Sequence, residues 1–263
     1  MDGSVAKGIY GHFHPDEHAF VDRAQEWIEN ASHHKVKRTD FLDPRQSFIV
    51  STLINRNPDV QIRLDGGFPD AERRRAIIGP DYLDMASEDM GLRVLSVESG
   101  DSKFQTLTHG DYMGAILALG MKRDKVGDIH VSPEGCHFVV AEEAADYLHL
   151  HLSQVHRVHV VTEILPIDKL IASPVRLEEM TLSVASLRLD GVVSDVFRLS
   201  RAKVLVPIGA GKCKVNWKPE ENPSVPLKEG DVVSLQGFGR FRVLEVEGTT
   251  KKGRMRIKIG KYA

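Results

Sequence analysis

Apolar residues recur along this chain with two periods, and the switches between them mark the elements. Phe20, Ala24, Trp27 and Ile28 stand at i, i+4, i+7 and i+8, one face of a helix, and Pro15 occupies a place that a first helical turn tolerates. A second helix follows Pro44. The alternation of Val60, Ile62 and Leu64 then predicts a strand closed by Gly66 and Gly67. Residues 92–99 alternate as a strand, and residues 109–120 put Tyr112, Ile116 and Leu119 on one helical face. Two short strands, 128–132 and 136–141, flank the turn chemistry of Pro133-Glu134-Gly135. A helix over 142–152 and a strand over 157–165 complete a βαββαβ order, the ferredoxin-like arrangement shared with the RRM fold.

Pro166 and Pro174 bracket an expected connector over about 164–180, because each disfavours helix in the residue before it. Two short helices, 187–197 and 200–206, precede strands at about 212–216, 231–235, 240–247 and 254–259. With Ser200 as cap, Pro207 lies deep in the second helix, where it removes a hydrogen bond and clashes with the preceding turn. That helix is expected to kink or stop near Val206, with Gly209 and Gly211 accommodating the exit. The predicted fold class is α+β: an α/β domain over 1–80, a ferredoxin-like or RRM-like domain over 81–170, and a small domain over 181–263.

Composition excludes several classes. Hydrophobic residues are 41% of the 263 and charged residues 27%, which supports a folded core and rules out a disordered or collagenous chain. The longest nearly apolar run, Met113 to Met121, is nine residues, against roughly 20 for a membrane helix. The amino-terminal stretch has no basic start followed by an apolar run, so no secretory leader is expected. With only Cys136 and Cys213, a disulfide framework is excluded and a reducing cytoplasm is the expected setting. The net charge of −2 averages two opposites. Residues 1–180 hold 19 Lys+Arg against 29 Asp+Glu, and residues 181–263 hold 16 against 8. Such asymmetry points to a polyanion partner for the carboxy-terminal part.

The candidate chemistry lies there. Ser200 is a good helix cap, and Arg201 and Lys203 fill the first turn, where the macrodipole disfavours cations unless an anion binds. A phosphate at that tip would meet free N–H donors and two side-chain cations together. Arg188, at the head of the preceding helix, adds a third cation if the helices pack side by side. Lys212 and Lys214 alternate with Cys213 and Val215, giving a strand with one basic face. Asn216, Trp217 and Lys218 follow in a turn, where Trp217 is either a base-stacking ring or a half-buried anchor. Arg240 and Arg242 complete the candidate RNA-binding set. Downstream, Arg254, Arg256 and Lys258 alternate with Met255, Ile257 and Ile259, predicting one more cationic strand face in a tail that also carries Lys251, Lys252 and Lys261. All these cations are expected on a single concave surface.

The segment 186–218, with Arg188-Leu189-Asp190, Leu199-Ser200-Arg201, Gly211, Val215-Asn216 and then Gly230-Asp231, resembles the S4-type RNA-binding domain. Joined to residues 109–129 and to the order of segments, the whole chain resembles the bacterial YlmH family. The resemblance implies two helices on a small twisted sheet, and non-catalytic binding of structured RNA without a cofactor. It implies the large ribosomal subunit as partner, ribosomal RNA and peptidyl-tRNA included, during quality control of stalled translation. A cytoplasmic, ribosome-associated monomer is expected. Two alternatives stand beside it: a septum-associated adaptor of cell division, and an RNA-modifying enzyme of the pseudouridine synthase type, whose essential aspartate would be Asp190.

Other signals carry less. Gly209-Ala210-Gly211-Lys212 suggests a P-loop end, but GxxxxGK[ST] needs glycine at Val206 and Ser or Thr at Cys213. All twelve histidines precede residue 160, with no cysteine pair to complete a metal site. His109 and Asp111 read as a helix start, His109 capping. The βαββαβ segment lacks the RRM aromatic signature, having only Phe138, so it is expected to act as scaffold or protein-docking surface.

Overall fold

The computed structural model describes residues 10–99, 107–249 and 253–262. It is a mixed α/β protein with three sheets and six α-helices among those residues, in two compact units: residues 16–173, and residues 174–263 grouped with positions 1–15. Among the described residues no helix is long and apolar enough to cross a membrane.

In the first unit, α1 (His18–Ser32) buries Phe20, Val21, Ala24, Ile28 and Ala31, while Trp27 stays half-exposed, edge-on to Phe20 at 5.8 Å. Asp43 and Gln46 form a reciprocal capping box at the start of α2 (Pro44–Ile54). Strands β1 (Lys37–Arg38), β2 (Val60–Asp65) and β3 (Arg75–Pro80) make a sheet in the order β1-β3-β2. The second sheet holds β4 (Leu92–Ser99), β5 (Val126–Val131), β6 (Gly135–Ala141), β7 (Gln154–Val155) and β8 (Val158–Pro166), ordered β5-β6-β4-β8-β7. Its helices are α3 (His109–Ala118) and α4 (Glu142–His151). One face of this sheet packs Leu95, Val97, Phe138 and Val140 on Tyr112, Ile116 and Leu148 of the helices.

The other face is shared with the amino-terminal segment. Leu92, Val139 and Ala141 pack on Phe41, Ile77 and Met90, and the buried Arg75 guanidinium ties the segments by hydrogen bonds to the carbonyls of Thr39 (2.7 Å) and Gly91 (2.9 Å). The start of α3 differs from the expected cap. Thr108, not His109, is the N-cap, and its hydroxyl and amide both donate to the Asp111 carboxylate, which holds that carboxyl below its usual range.

The second unit is one six-stranded antiparallel sheet, β11-β10-β12-β13-β14-β9, with α5 (Leu189–Phe197) and α6 (Arg201–Gly209) over one face. Its strands are β9 (Leu177–Val184), β10 (Cys213–Val215), β11 (Lys218–Pro219), β12 (Val232–Leu235), β13 (Gly239–Thr249) and β14 (Met255–Tyr262). Strand β9 begins within the last four residues of the expected connector. Met180, Leu182 and Val184 alternate toward the core, and the pairing that makes them a strand comes from β14, over 70 residues downstream, as in Ile257↔Leu182.

Helix α6 runs past Val206 to Gly209, through Pro207. Pro207 sits in the last turn, so the lost bond affects only the Lys203 carbonyl. The end is secured by two bonds of Schellman type, Lys212 N–H to Pro207 O (2.9 Å) and Gly211 N–H to Ile208 O (3.0 Å), with Gly211 at φ +69°. Gly211, and not Gly209, carries the reversal.

Candidate nucleic-acid interface

Arg188 is the N-cap residue of α5, and its guanidinium donates Nε to Asp190 Oδ1 (3.1 Å) and Nη2 to Oδ2 (3.2 Å). Asp190 is buried and also accepts the Gly191 N–H at 2.9 Å. Arg201 reaches the same place: a Cβ on Gly191 would lie 3.3 Å from its Nη2. Glycine at 191 therefore leaves room for the second guanidinium, a role the sequence pattern does not reveal. The Asp190 carboxyl is held below the usual carboxylate range, chiefly by the Arg188 hydrogen bonds and further by the Gly191 amide and the two arginine charges, against the opposing effect of burial. Ser200 Oγ accepts the Lys203 N–H (3.4 Å) at the head of α6, while Arg201 and Lys203 are exposed. Two helix starts thus converge on one carboxylate, bonded by Arg188 and within the electrostatic reach of Arg201.

A depressed carboxyl stabilises the fold above its unfolded pKa, about 3.9, and that contribution is lost as pH falls through the folded value. Asp190→Asn should lower Tm at pH 7 by about 2–4 °C, what ~1 kcal/mol from a helix-terminal carboxylate makes in a chain of this size. The gap from the parent should narrow as pH falls below the unfolded value of about 3.9. A constant gap down to pH 3 would show that the carboxylate charge is irrelevant.

The other candidates lie on a different surface. Cross-strand pairs share a face, and the register Lys214↔Ser234↔Arg240 places these side chains opposite the face that buries Val215, Val233 and Phe241. Lys212 and Arg242 follow by alternation. Arg240 stacks over the rings of Tyr262 (3.9 Å to the centroid) and Trp217 (5.7 Å). Tyr262 was not among the sequence candidates, because only the pairing of β13 with β14 brings it there. Asn216 is a fastener: its amide donates to Asp231 (2.8 Å) and its side-chain oxygen accepts the Val232 N–H (2.9 Å). Lys218 is exposed at the edge, paired with Val215 and so aimed to the helix side. The single surface expected from sequence is divided by strand alternation into a helix-tip cluster and an open sheet face.

The tail differs further. Arg256 is bonded to Glu247 (2.7 Å) and Lys258 to Glu179 (2.7 Å), while Arg254 donates to Ser183. Neighbouring strands neutralise Arg256 and Lys258 of the expected cationic strip, and Lys251 and Lys252 lie outside the described residues.

Comparison with known proteins bears on this site. Residues 16–83 match the family model described as "YlmH, N-terminal", and residues 86–169 the one described as "Putative RNA-binding domain in YlmH". A Bacillus subtilis (strain 168) protein named "Ribosome-associated protein quality control protein P2" is 38% identical over 250 residues, 95% of this chain and 96% of that protein. The chain belongs to the YlmH family. A solved structure, "Cell division protein ylmH from Streptococcus pneumoniae", is similar at 25% identity and a TM-score of 0.52, covering 61% of this chain and 97% of that one. The YlmH description attaches RNA binding to residues 86–169, where the sequence reading placed a scaffold. In this chain Phe138 is fully buried beneath α3 and α4, and on the sheet's other face the buried Ser96 pairs with the exposed Glu163 and with His137. The carboxy-terminal unit offers stacking rings and exposed cations together.

Proposed function

We propose that this chain binds structured RNA without catalysis, as a ribosome-associated quality-control factor. The large subunit is its platform, and ribosomal RNA and peptidyl-tRNA are the RNAs contacted. The observation that carries the reading is the head of α6: a serine-capped helix start with Arg201 and Lys203 in its first turn, beside the Arg188–Asp190 pair. The similarity to the Bacillus subtilis quality-control protein, over nearly the whole of both chains, supports the ribosomal setting. In this reading residues 181–263 are an S4-type domain, supported by two helices on a sheet bent by register shifts between Val243 and Glu245 and between Val246 and Gly248. Residues 81–170 are an RRM-like domain, supported by the strand order β5-β6-β4-β8, and residues 1–80 a third domain packed on it. The protein acts as a cytoplasmic monomer with no cofactor. Asp190 serves as an anchor, supported by its bonds to Arg188 and Gly191; a pseudouridine-type catalyst would need that carboxylate for substrate.

A second reading, an adaptor in cell division, is favoured by the name of the Streptococcus pneumoniae structure. Sedimentation of cell lysate through sucrose separates the two. The full chain should travel with large subunits and leave that fraction after ribonuclease treatment. Retention in a large, nuclease-resistant assembly would overturn RNA binding in favour of a protein tether.

A further inference from the structure

The Asn216–Trp217 turn joins β10 to β11 with both central residues at positive φ, +51° and +64°. This is the two-residue hairpin geometry that Asn-Gly fills without strain. Asparagine suits the first position and is fastened there by Asp231 and Val232. Tryptophan at the second has no such reason: a bulky residue at positive φ is strained, and glycine would relieve it. Nor is the ring sunk in the core, since Trp217 is only half-buried. Backbone strain that local structure does not require is a mark of function.

The surroundings name the ligand. Trp217 and Tyr262 flank Arg240 on the open sheet face, with Lys214 in the same cross-strand row and Arg242 one alternation away. Flat rings and a guanidinium plane offer stacking surfaces that any base fits, and the adjacent cations match a phosphodiester backbone. A paired helix hides its base faces, so this surface suits unpaired nucleotides. We infer that Trp217, Arg240 and Tyr262 form a stacking platform for an unpaired RNA segment, separate from the helix-tip cluster that grips phosphates. The inference rests on the RNA-binding reading and adds the class of RNA that this face takes.

The test uses the purified full chain and two synthetic RNAs: a blunt duplex, and the same duplex with a six-nucleotide unpaired 3′ extension. Wild type should bind the extended RNA more tightly. W217G should lose roughly 5- to 150-fold in affinity for it, the effect of one base–aromatic stack, with blunt-duplex affinity unchanged. Tm should hold or rise, since glycine relaxes the turn. In a Trp27→Phe background, Trp217 is the remaining tryptophan of the two, and the extended RNA alone should quench its fluorescence. Equal binding of the extended RNA by W217G and wild type, or equal losses for both RNAs, overturns the platform while leaving RNA binding intact. Wild type binding neither RNA overturns both readings.

Discussion

Arg75→Ala should cost the fold about 3–5 kcal/mol, because it leaves two buried carbonyl acceptors unpaired at about 1–3 kcal/mol each and empties a packed site. The side chain is 3% exposed and makes four hydrogen bonds, two to the Thr39 and Gly91 carbonyls and two to Glu143 (3.1 and 2.9 Å). Each carbonyl left behind is a buried acceptor without its donor. The site is also a junction: Thr39 precedes α2, Gly91 precedes β4, and Glu143 lies in the first turn of α4. Against a typical total of ~5–15 kcal/mol, the loss is a large fraction, and Tm should fall by about 10 °C. Glu143→Gln should be much milder, under about 1 kcal/mol, because its carboxylate is 46% exposed and screened by water. Urea titrations of both variants check this. Arg75→Ala unfolding within 1 kcal/mol of wild type would sink the argument.

The double variant Arg201→Glu, Lys203→Glu should lose RNA affinity by about 10²–10⁴-fold, since each charge-assisted contact contributes about 1.5–3 kcal/mol. The dependence of log K on log salt should flatten by about 1.4–1.8, two phosphate contacts' worth. Stability should change by less than about 0.5 kcal/mol, because both side chains are exposed. Acidic residues in a first helical turn are favoured by the dipole, which offsets the loss of a cation near Asp190. Binding isotherms from 50 to 300 mM salt separate this from general charge effects. An unchanged slope would remove α6 from the interface even if affinity fell.

Elements whose apolar faces repeat locally were legible before any coordinates. Helix α1 turns one face to a core, so its periodicity and burial coincide, while strands β4 and β6, buried on both faces, are marked by short, largely apolar runs. Ser200 as cap was equally legible, because capping is decided within four residues. Strand β9 was not, since a Glu178-Glu179 pair after two prolines reads as loop until β14 supplies hydrogen bonds. Pro207 misled because the rule against internal proline weakens in a last turn, and only the Gly211 reversal shows where that turn ends. The arginine run Arg73-Arg74-Arg75 has no pattern that marks its third member as buried.

By itself the sequence determined the local rules: which segments alternate, where helices begin, and that cations gather after residue 180. These follow from backbone geometry and charge, which act over a few residues or by simple summation. The tertiary structure alone decided which charges meet. It spent Arg256 and Lys258 on Glu247 and Glu179, set Arg188 and Arg201 around Asp190, and brought Tyr262 and Trp217 to Arg240. Strand pairing joins residues far apart in the chain at a register that no local pattern encodes. The partner of each side chain is therefore a property of the fold.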